Sequence, residues 1–367
     1  MILGIDVSTY LEELANGAKF YDGDIEIDPL DAFVANGVDW MRIRIWNDPY
    51  SPEGEPYLAG TCDLNHYIRL AKLAKSKGYK ILMDLHYSDF WADPGKQIIP
   101  KAWQGLDVDG LERAVYDFTT HCLLTAKENG VLPEMIQIGN EITKGFLWPI
   151  CQLEGDDGKR GNYDNFFKVI GAGCRAVREI SPETKILLHL ERSNVGAVYQ
   201  EFFTEAEKRG IPYDVIGASY YPFYHGTPEE LFTNLNACKR FGKEIVLAEV
   251  GYGFTTQSYS MCGKEIPLII TTGGITNPDI TETYPITPEG QAAYIRDLIS
   301  RCKENGVYGA FYWEPIWIPG ENIHWASKAA QKYIHEEEYQ TLNQWSNQCL
   351  FDYDGRKLPA FDEYKPV

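Results

Sequence analysis

The chain has 367 residues, of which 44% are hydrophobic and 24% charged, so a full core is available and a disordered chain is not expected. A net charge of −19, with a pI near 4.8, argues against nucleic acid or an acidic polymer as ligand and favours a neutral one. Aromatic residues reach 13%, with nine Trp and 24 Tyr, an excess suited to stacking on sugar faces although many of these rings must be core.

In chain order, β-type runs fall at 2–7, 39–45, 80–86, 134–140, 185–189, 215–221, 244–249 and 309–313. Amphipathic stretches lie between them at 64–77, 111–129, 164–180, 195–209, 228–241 and 288–305. Tyr67, Leu70, Ala71 and Ala74 illustrate the helical spacing. Eight strands, each followed by a helix, predict an α/β fold, a single (β/α)8 TIM barrel spanning 1–367. No low-complexity linker interrupts the pattern. The segment 251–287, rich in Thr, Tyr, Gly and Pro, is expected to cover part of a cleft; 314–336 carries Trp317 and Trp325, and 343–359 reads as a closing element.

Eight scattered cysteines show neither CxxC nor metal-ligand spacing, so neither a metal nor a cofactor is expected. Reduced, buried thiols are the expectation, with one disulfide in the later loops left open. No signal peptide or membrane-spanning run is visible, and strand-like sequence begins at Ile2. Two compartments stay open: cytoplasmic as written, or extracellular after removal of a leader. A monomer is expected.

The chemistry concentrates at strand ends. In the second strand, alternation places Arg42, Arg44 and Trp46 on one face and Ile43 and Ile45 on the other, turning the arginines into the barrel. An inward arginine beside a carboxylate lowers its pKa and keeps it ionised. Arg44, nearer the C-terminal end, is the first choice for that role; Arg42 reads as a deeper structural ion pair. The third strand brings Asp84 and His86 to the inward face. The fourth leads into Asn140-Glu141 and the seventh ends in Glu249. Two carboxyls about 5 Å apart at a barrel mouth make a retaining glycosidase, one as acid and base and the other as nucleophile. Asn140 is placed to bind the sugar 2-hydroxyl. His189 ends the fifth strand. Tyr221, little separated from Tyr220, is chosen to donate to the nucleophile, and Trp313 to floor the subsite where the bond breaks.

These residues together resemble clan A glycoside hydrolases, and more narrowly family 53, the arabinogalactan endo-β-1,4-galactanases. Three stretches carry the likeness: Gly4-Ile5-Asp6-Val7-Ser8; His86-Tyr87-Ser88-Asp89-Phe90-Trp91-Ala92-Asp93-Pro94-Gly95-Lys96-Gln97 with Pro100 and Trp103; and Asn347-Gln348-Cys349-Leu350-Phe351-Asp352 with Gly355 and Leu358-Pro359. The resemblance implies a retaining endo-hydrolase of β-1,4-galactan, with Glu141 as acid/base and Glu249 as nucleophile. It also implies that Asp89 and Trp91 contribute to the sugar-binding cleft. Two departures stand out. Some bacterial members carry a calcium loop after the nucleophile strand, whereas 251–271 here has no Asp and only Glu265, so no such calcium site is expected. After the fifth strand the chain reads Glu191-Arg192-Ser193, where the family more often has an Asp-Asn-Gly type turn.

Another clan A β-glycanase, a mannanase or glucanase, shares the two glutamates and remains the alternative. A carbohydrate-binding protein on an inactive barrel would need one catalytic carboxyl to be missing, and both are present.

Overall fold

A computed structural model of the chain describes residues 1–270 and 279–366. Eight parallel strands close into a barrel: β1 (Ile2–Asp6), β2 (Trp40–Ile45), β3 (Lys80–Leu85), β4 (Met135–Ile138), β5 (Lys185–Leu190), β6 (Val215–Tyr220), β7 (Glu244–Val250) and β8 (Gly309–Trp313). Their order around the barrel follows the chain, with β1 paired to both β2 and β8. Helices Leu64–Ser76, Val108–Glu128, Tyr163–Ile180, Gly196–Lys208, Pro228–Cys238 and Pro288–Glu304 connect successive strands. This is the expected (β/α)8 architecture.

Side-chain alternation builds two cores. On β2, Met41, Ile43 and Ile45 join the large core between strands and helices, while Trp40 turns inward. Inside the barrel, Trp40, Leu82, Met135, Leu187, Val215 and Phe311 fill the N-terminal end with an apolar plug. Gly4 is required there, because a Cβ at that position would lie 2.2 Å from the Phe311 ring. Towards the C-terminal ends the interior becomes polar, with Asp6, Arg42, Asp84, Gln137 and His189 all buried. The plug thus lifts the charged layer to the barrel mouth.

β4 stops earlier than the expected 134–140. Gly139 takes φ +81° and Glu141 φ +49°, so the chain leaves the ladder before the acidic residue. A Cβ at 139 would also lie 2.7 Å from the Ile142 side chain. Glycine there allows the sharp turn that aims Glu141.

The excursions lie at the mouth. After β7, a hairpin pairs Tyr259–Met261 with Lys264–Ile266, and Ile269 reaches the cleft; 271–278 of the loop expected at 251–287 lies outside the described residues. After β8 comes the helix Lys328–Ile334. Asn347, in the third resemblance stretch, donates to the carbonyls of Thr255 (2.9 Å) and Ile270 (2.8 Å), clamping the two excursions together. The Tyr364 hydroxyl lies 2.7 and 2.8 Å from the carbonyl oxygens of Gly4 and Ala310, fastening the end of the helix Pro359–Glu363 to the barrel. All eight cysteines are free; seven are buried and Cys262 is exposed, so the disulfide left open above does not form. Among the described residues, no helix is long and apolar enough to cross a membrane.

Glu13, on the short helix Tyr10–Ala15 after β1, is fully buried and neither carboxyl oxygen has a hydrogen-bond partner. Burial, with the nearby Glu12 and Glu314 charges, pushes its pKa well above the usual carboxyl range. A carboxyl raised in the folded state stabilises the fold below its unfolded pKa and loses that contribution as pH rises through the folded value. Glu13→Gln should therefore gain stability relative to the parent protein as pH rises. Urea melts at pH 5 and pH 9 check this; a gap that narrows with rising pH contradicts it.

Candidate active site

Glu141 and Glu249 face one cleft of ≈ 540 Å³ at the C-terminal ends of the strands, where barrels carry their chemistry. Simple alternation along β7 would not put Glu249 there, since Val246 and Ala248 already point inward. A register shift resolves this: Leu247 pairs with Ala218, but the next pair is Glu249 with Ser219, leaving Ala248 extra. The bulge re-aims Glu249 into the cleft, which the sequence pattern alone did not signal.

Arg42 holds Glu249. Its guanidinium lies 2.9 Å from Glu249 Oε1, 2.8 Å from Asp6 and 2.8 Å from Asp84. The Tyr221 hydroxyl donates to the other oxygen, Oε2, at 2.9 Å, while Tyr220 turns to the Gly226 carbonyl. Burial pushes the Glu249 carboxyl up and the Arg42 charge pulls it back, so its net shift is upward and not the simple depression expected. Glu141 has no cationic partner in hydrogen-bonding range among the described residues. Burial, then the charges of Glu249 and Glu191, push its carboxyl well above the usual range. Both carboxyls are pushed up, Glu141 the further, because only Glu249 has a guanidinium beside it.

The expectation for Arg44 is corrected. It pairs with Glu314 (2.5 Å) and the Ala59 carbonyl (2.8 Å), and its guanidinium stacks 4.4 Å from the Trp91 ring centre. Height along the strand favoured Arg44, but the longer climb of the deeper Arg42 side chain through the barrel centre reaches Glu249. Glu314 had gone unnoticed, although it too follows a β-run at a strand end. Burial lifts its pKa to about 7 against the pull of Arg44.

Asn140 is held from both sides. Its Oδ1 accepts from Arg42 (2.8 Å) and Gln137 (2.9 Å) and faces His189 Nδ1 at 2.9 Å, while Nδ2 donates to the Ala92 carbonyl at 2.9 Å. Ser219 and Gln137, both missed in the sequence, complete this layer; the inward phase of β6 and β4 was the signal that marked them. Ser219 Oγ sits 2.6 Å from Glu141 Oε1. His86 lines the cleft and meets Asp84 at 3.0 Å, with its other nitrogen accepting from Trp46 and Ala92.

Asp89 does not line the cleft, correcting what the resemblance implied. Its carboxylate accepts from the backbone of Asp48 and Lys101 and from the Lys101 ammonium at 2.9 Å, organising the loop behind the mouth. Trp91 does line the cleft, with Trp313, Trp317, Trp325 and Trp345. Trp317 and Trp345 are parallel within 7°, with centres 6.1 Å apart. Such aromatic walls bind neutral, ring-shaped ligands by apolar contact, needing no charge. In the Glu191-Arg192 turn, Arg192 grips Glu154 through two nitrogens at 2.8 and 2.9 Å, and its Nε lies 3.6 Å from the buried Glu191 carboxyl.

Because Arg42 aligns Glu249 while Arg44 supports Trp91, Arg42→Lys should lower kcat by on the order of 10²–10³. Arg44→Lys should act more on KM. Steady-state kinetics on folded variants checks this, and a larger kcat loss in Arg44→Lys would contradict it.

Comparison with known proteins gives the family. The model of Glycosyl hydrolase family 53 matches residues 2–364. A Bacillus subtilis (strain 168) protein named endo-beta-1,4-galactanase is 33% identical, over 99% of this chain and 85% of its own length. The solved catalytic domain of an Ignisphaera aggregans family 53 protein superposes with a TM-score of 0.86 at 38% identity, covering 99% of this chain and 95% of that one. A structure from a study of two fungal beta-1,4-galactanases reaches a TM-score of 0.76 at 26% identity, covering 99% and 98%. The chain belongs to glycosyl hydrolase family 53 and is a glycoside hydrolase.

Proposed function

We propose that this hydrolase cleaves internal β-1,4 bonds of galactan, including type I arabinogalactan, by a retaining double displacement. The observation that carries the mechanism is the unequal setting of two carboxyls in one cleft. Glu249 is bracketed by Arg42 and Tyr221, whereas Glu141 is buried without a cation. The names of the relatives, the aromatic cleft and the net charge of −19 support a neutral galactan as substrate.

Glu249 attacks the anomeric carbon as Glu141 passes its proton to the departing glycosidic oxygen, so the C–O bond breaks as a glycosyl–Glu249 bond forms. Glu141 then takes a proton from water, whose oxygen attacks the same carbon and frees Glu249. Asn140, fixed by Arg42, Gln137 and His189, is placed to bind the sugar 2-hydroxyl. The chain works as one catalytic unit, because the helix near its end is fastened to β1 and β8 by Tyr364.

Reducing-sugar release from linear β-1,4-galactan, with mannan and cellulose alongside, tests the substrate. Galactan cleavage is expected; cleavage of mannan or cellulose alone would reject the galactan reading and keep the mechanism. Glu249→Ala should abolish turnover with the fold intact. Glu141→Ala should suffer far more on polysaccharide than on substrates with good leaving groups, which need little protonation. Equal losses on both would remove Glu141 from the acid role.

A further inference from the structure

The hydrogen bonds around Glu141 have a direction that arginine imposes. Arginine offers only N–H donors, so the Asn140 atom 2.8 Å from Arg42 is its carbonyl oxygen, and Nδ2 faces the Ala92 carbonyl. His189 Nδ1, 2.9 Å from that same oxygen, must then carry a hydrogen. His189 Nε2 lies 2.8 Å from Ser219 Oγ, which in turn lies 2.6 Å from Glu141 Oε1. With a neutral ring, Nε2 is bare and accepts the single Ser219 hydrogen. The serine oxygen then presents a lone pair to Glu141, and that bond exists only if Oε1 is protonated.

One other arrangement satisfies every contact. An ionised Glu141 accepts from Ser219, Ser219 accepts from Nε2–H, and His189 becomes an imidazolium. The two arrangements hold the same number of protons and differ only in which end has the extra one. An ionised Glu141 beside a neutral His189 is one proton short, and a buried group loses its partner.

We propose that Glu141, Ser219 and His189 form one unit sharing a single proton, which rests on Glu141, with Ser219 and His189 as positioning residues for the acid/base. The surroundings decide where the proton rests. Glu249, Glu191 and Asp93 place negative charge near Glu141, and the Tyr221 hydroxyl stays neutral beside it. Arg42 stands on the His189 side, with Asp84 as the opposing charge and His86 and His225 further neighbours. Full burial, reinforced by Arg42, holds the His189 ring well below the ordinary histidine range.

When Glu141 protonates the leaving oxygen, the Ser219 hydrogen turns from Nε2 to the new carboxylate and Nε2 loses its donor. Removal of a proton from water by Glu141 restores the set. No proton is gained or lost by His189 or Ser219 over the cycle. The unit thus favours return of the proton in the second step.

The proposal rests on Glu141 being the acid/base, yet its first test needs no substrate. Nitrogen-15 NMR of the histidine-labelled enzyme should show His189 with Nδ1 protonated and Nε2 bare throughout the active pH range. The signal is assigned by its loss in His189→Leu or by its shift in Ser219→Ala. A bare Nδ1, or an imidazolium, overturns the proposal whatever the enzyme cleaves. The second test is the pH profile of kcat/KM on a cleaved glycan. In folded His189→Leu, Ser219 is free to donate to the carboxylate, so the basic limb should fall by about one pH unit, the scale of one hydrogen bond. His189→Leu with Ser219→Ala should restore it upward. A basic limb unmoved or raised in His189→Leu overturns the proposal.

Discussion

The Arg42 guanidinium is the point on which the site depends. It is wholly buried at the centre of the barrel mouth, within hydrogen-bonding distance of Asp6, Asp84 and Glu249, and it also fixes Gln137 and Asn140. A charge taken from water is tolerated only when its partners surround it, and breaking such a set by removing one member is strongly destabilising, by about 3–5 kcal/mol. Four strands (β1, β3, β4 and β7) thereby report to one side chain carried by β2. The apolar plug beneath, from Trp40 to Phe311, holds this layer at the mouth.

Around that hub, the protein separates polar chemistry from apolar recognition. Arg44 and Glu314 form a second buried pair whose outer face supports Trp91, and the tryptophans beyond it wall the cleft. The loops bearing those rings are not loosely appended. Asn347 ties the excursions after β7 and β8, and Asp89 fixes the loop after β3 to the segment after β2. Several residues in the resemblance stretches therefore hold the walls in place without touching the cleft.

The barrel was legible because strands buried on both faces read as short apolar or alternating runs, with amphipathic helices between them. The two glutamates were legible because strand-end acids stand out against such runs. Arg42 and Arg44 were both seen to point inward, but alternation gives a face and not a reach, so the partners were exchanged. Glu249 lines the mouth although strict alternation places it outward; the bulge at Ala248 depends on pairing with β6, which no single strand reveals. Asp89 was misplaced because its loop folds back on Asp48 and Lys101, a contact across distant backbone. Ser219 and Gln137 were overlooked as small or neutral residues among more reactive ones. Their importance comes from the hydrogen-bond directions that Arg42 imposes.

Trapping the covalent intermediate tests whether Glu249, held by Arg42 and Tyr221, is the nucleophile. The enzyme would be treated with an activated 2-deoxy-2-fluoro-β-galactobioside, which slows turnover of a glycosyl-enzyme, and then digested for peptide mass mapping. One sugar adduct per chain, on Glu249, is expected if that carboxylate is the nucleophile. An adduct on Glu141, or products of inverted configuration formed without any adduct, would contradict it.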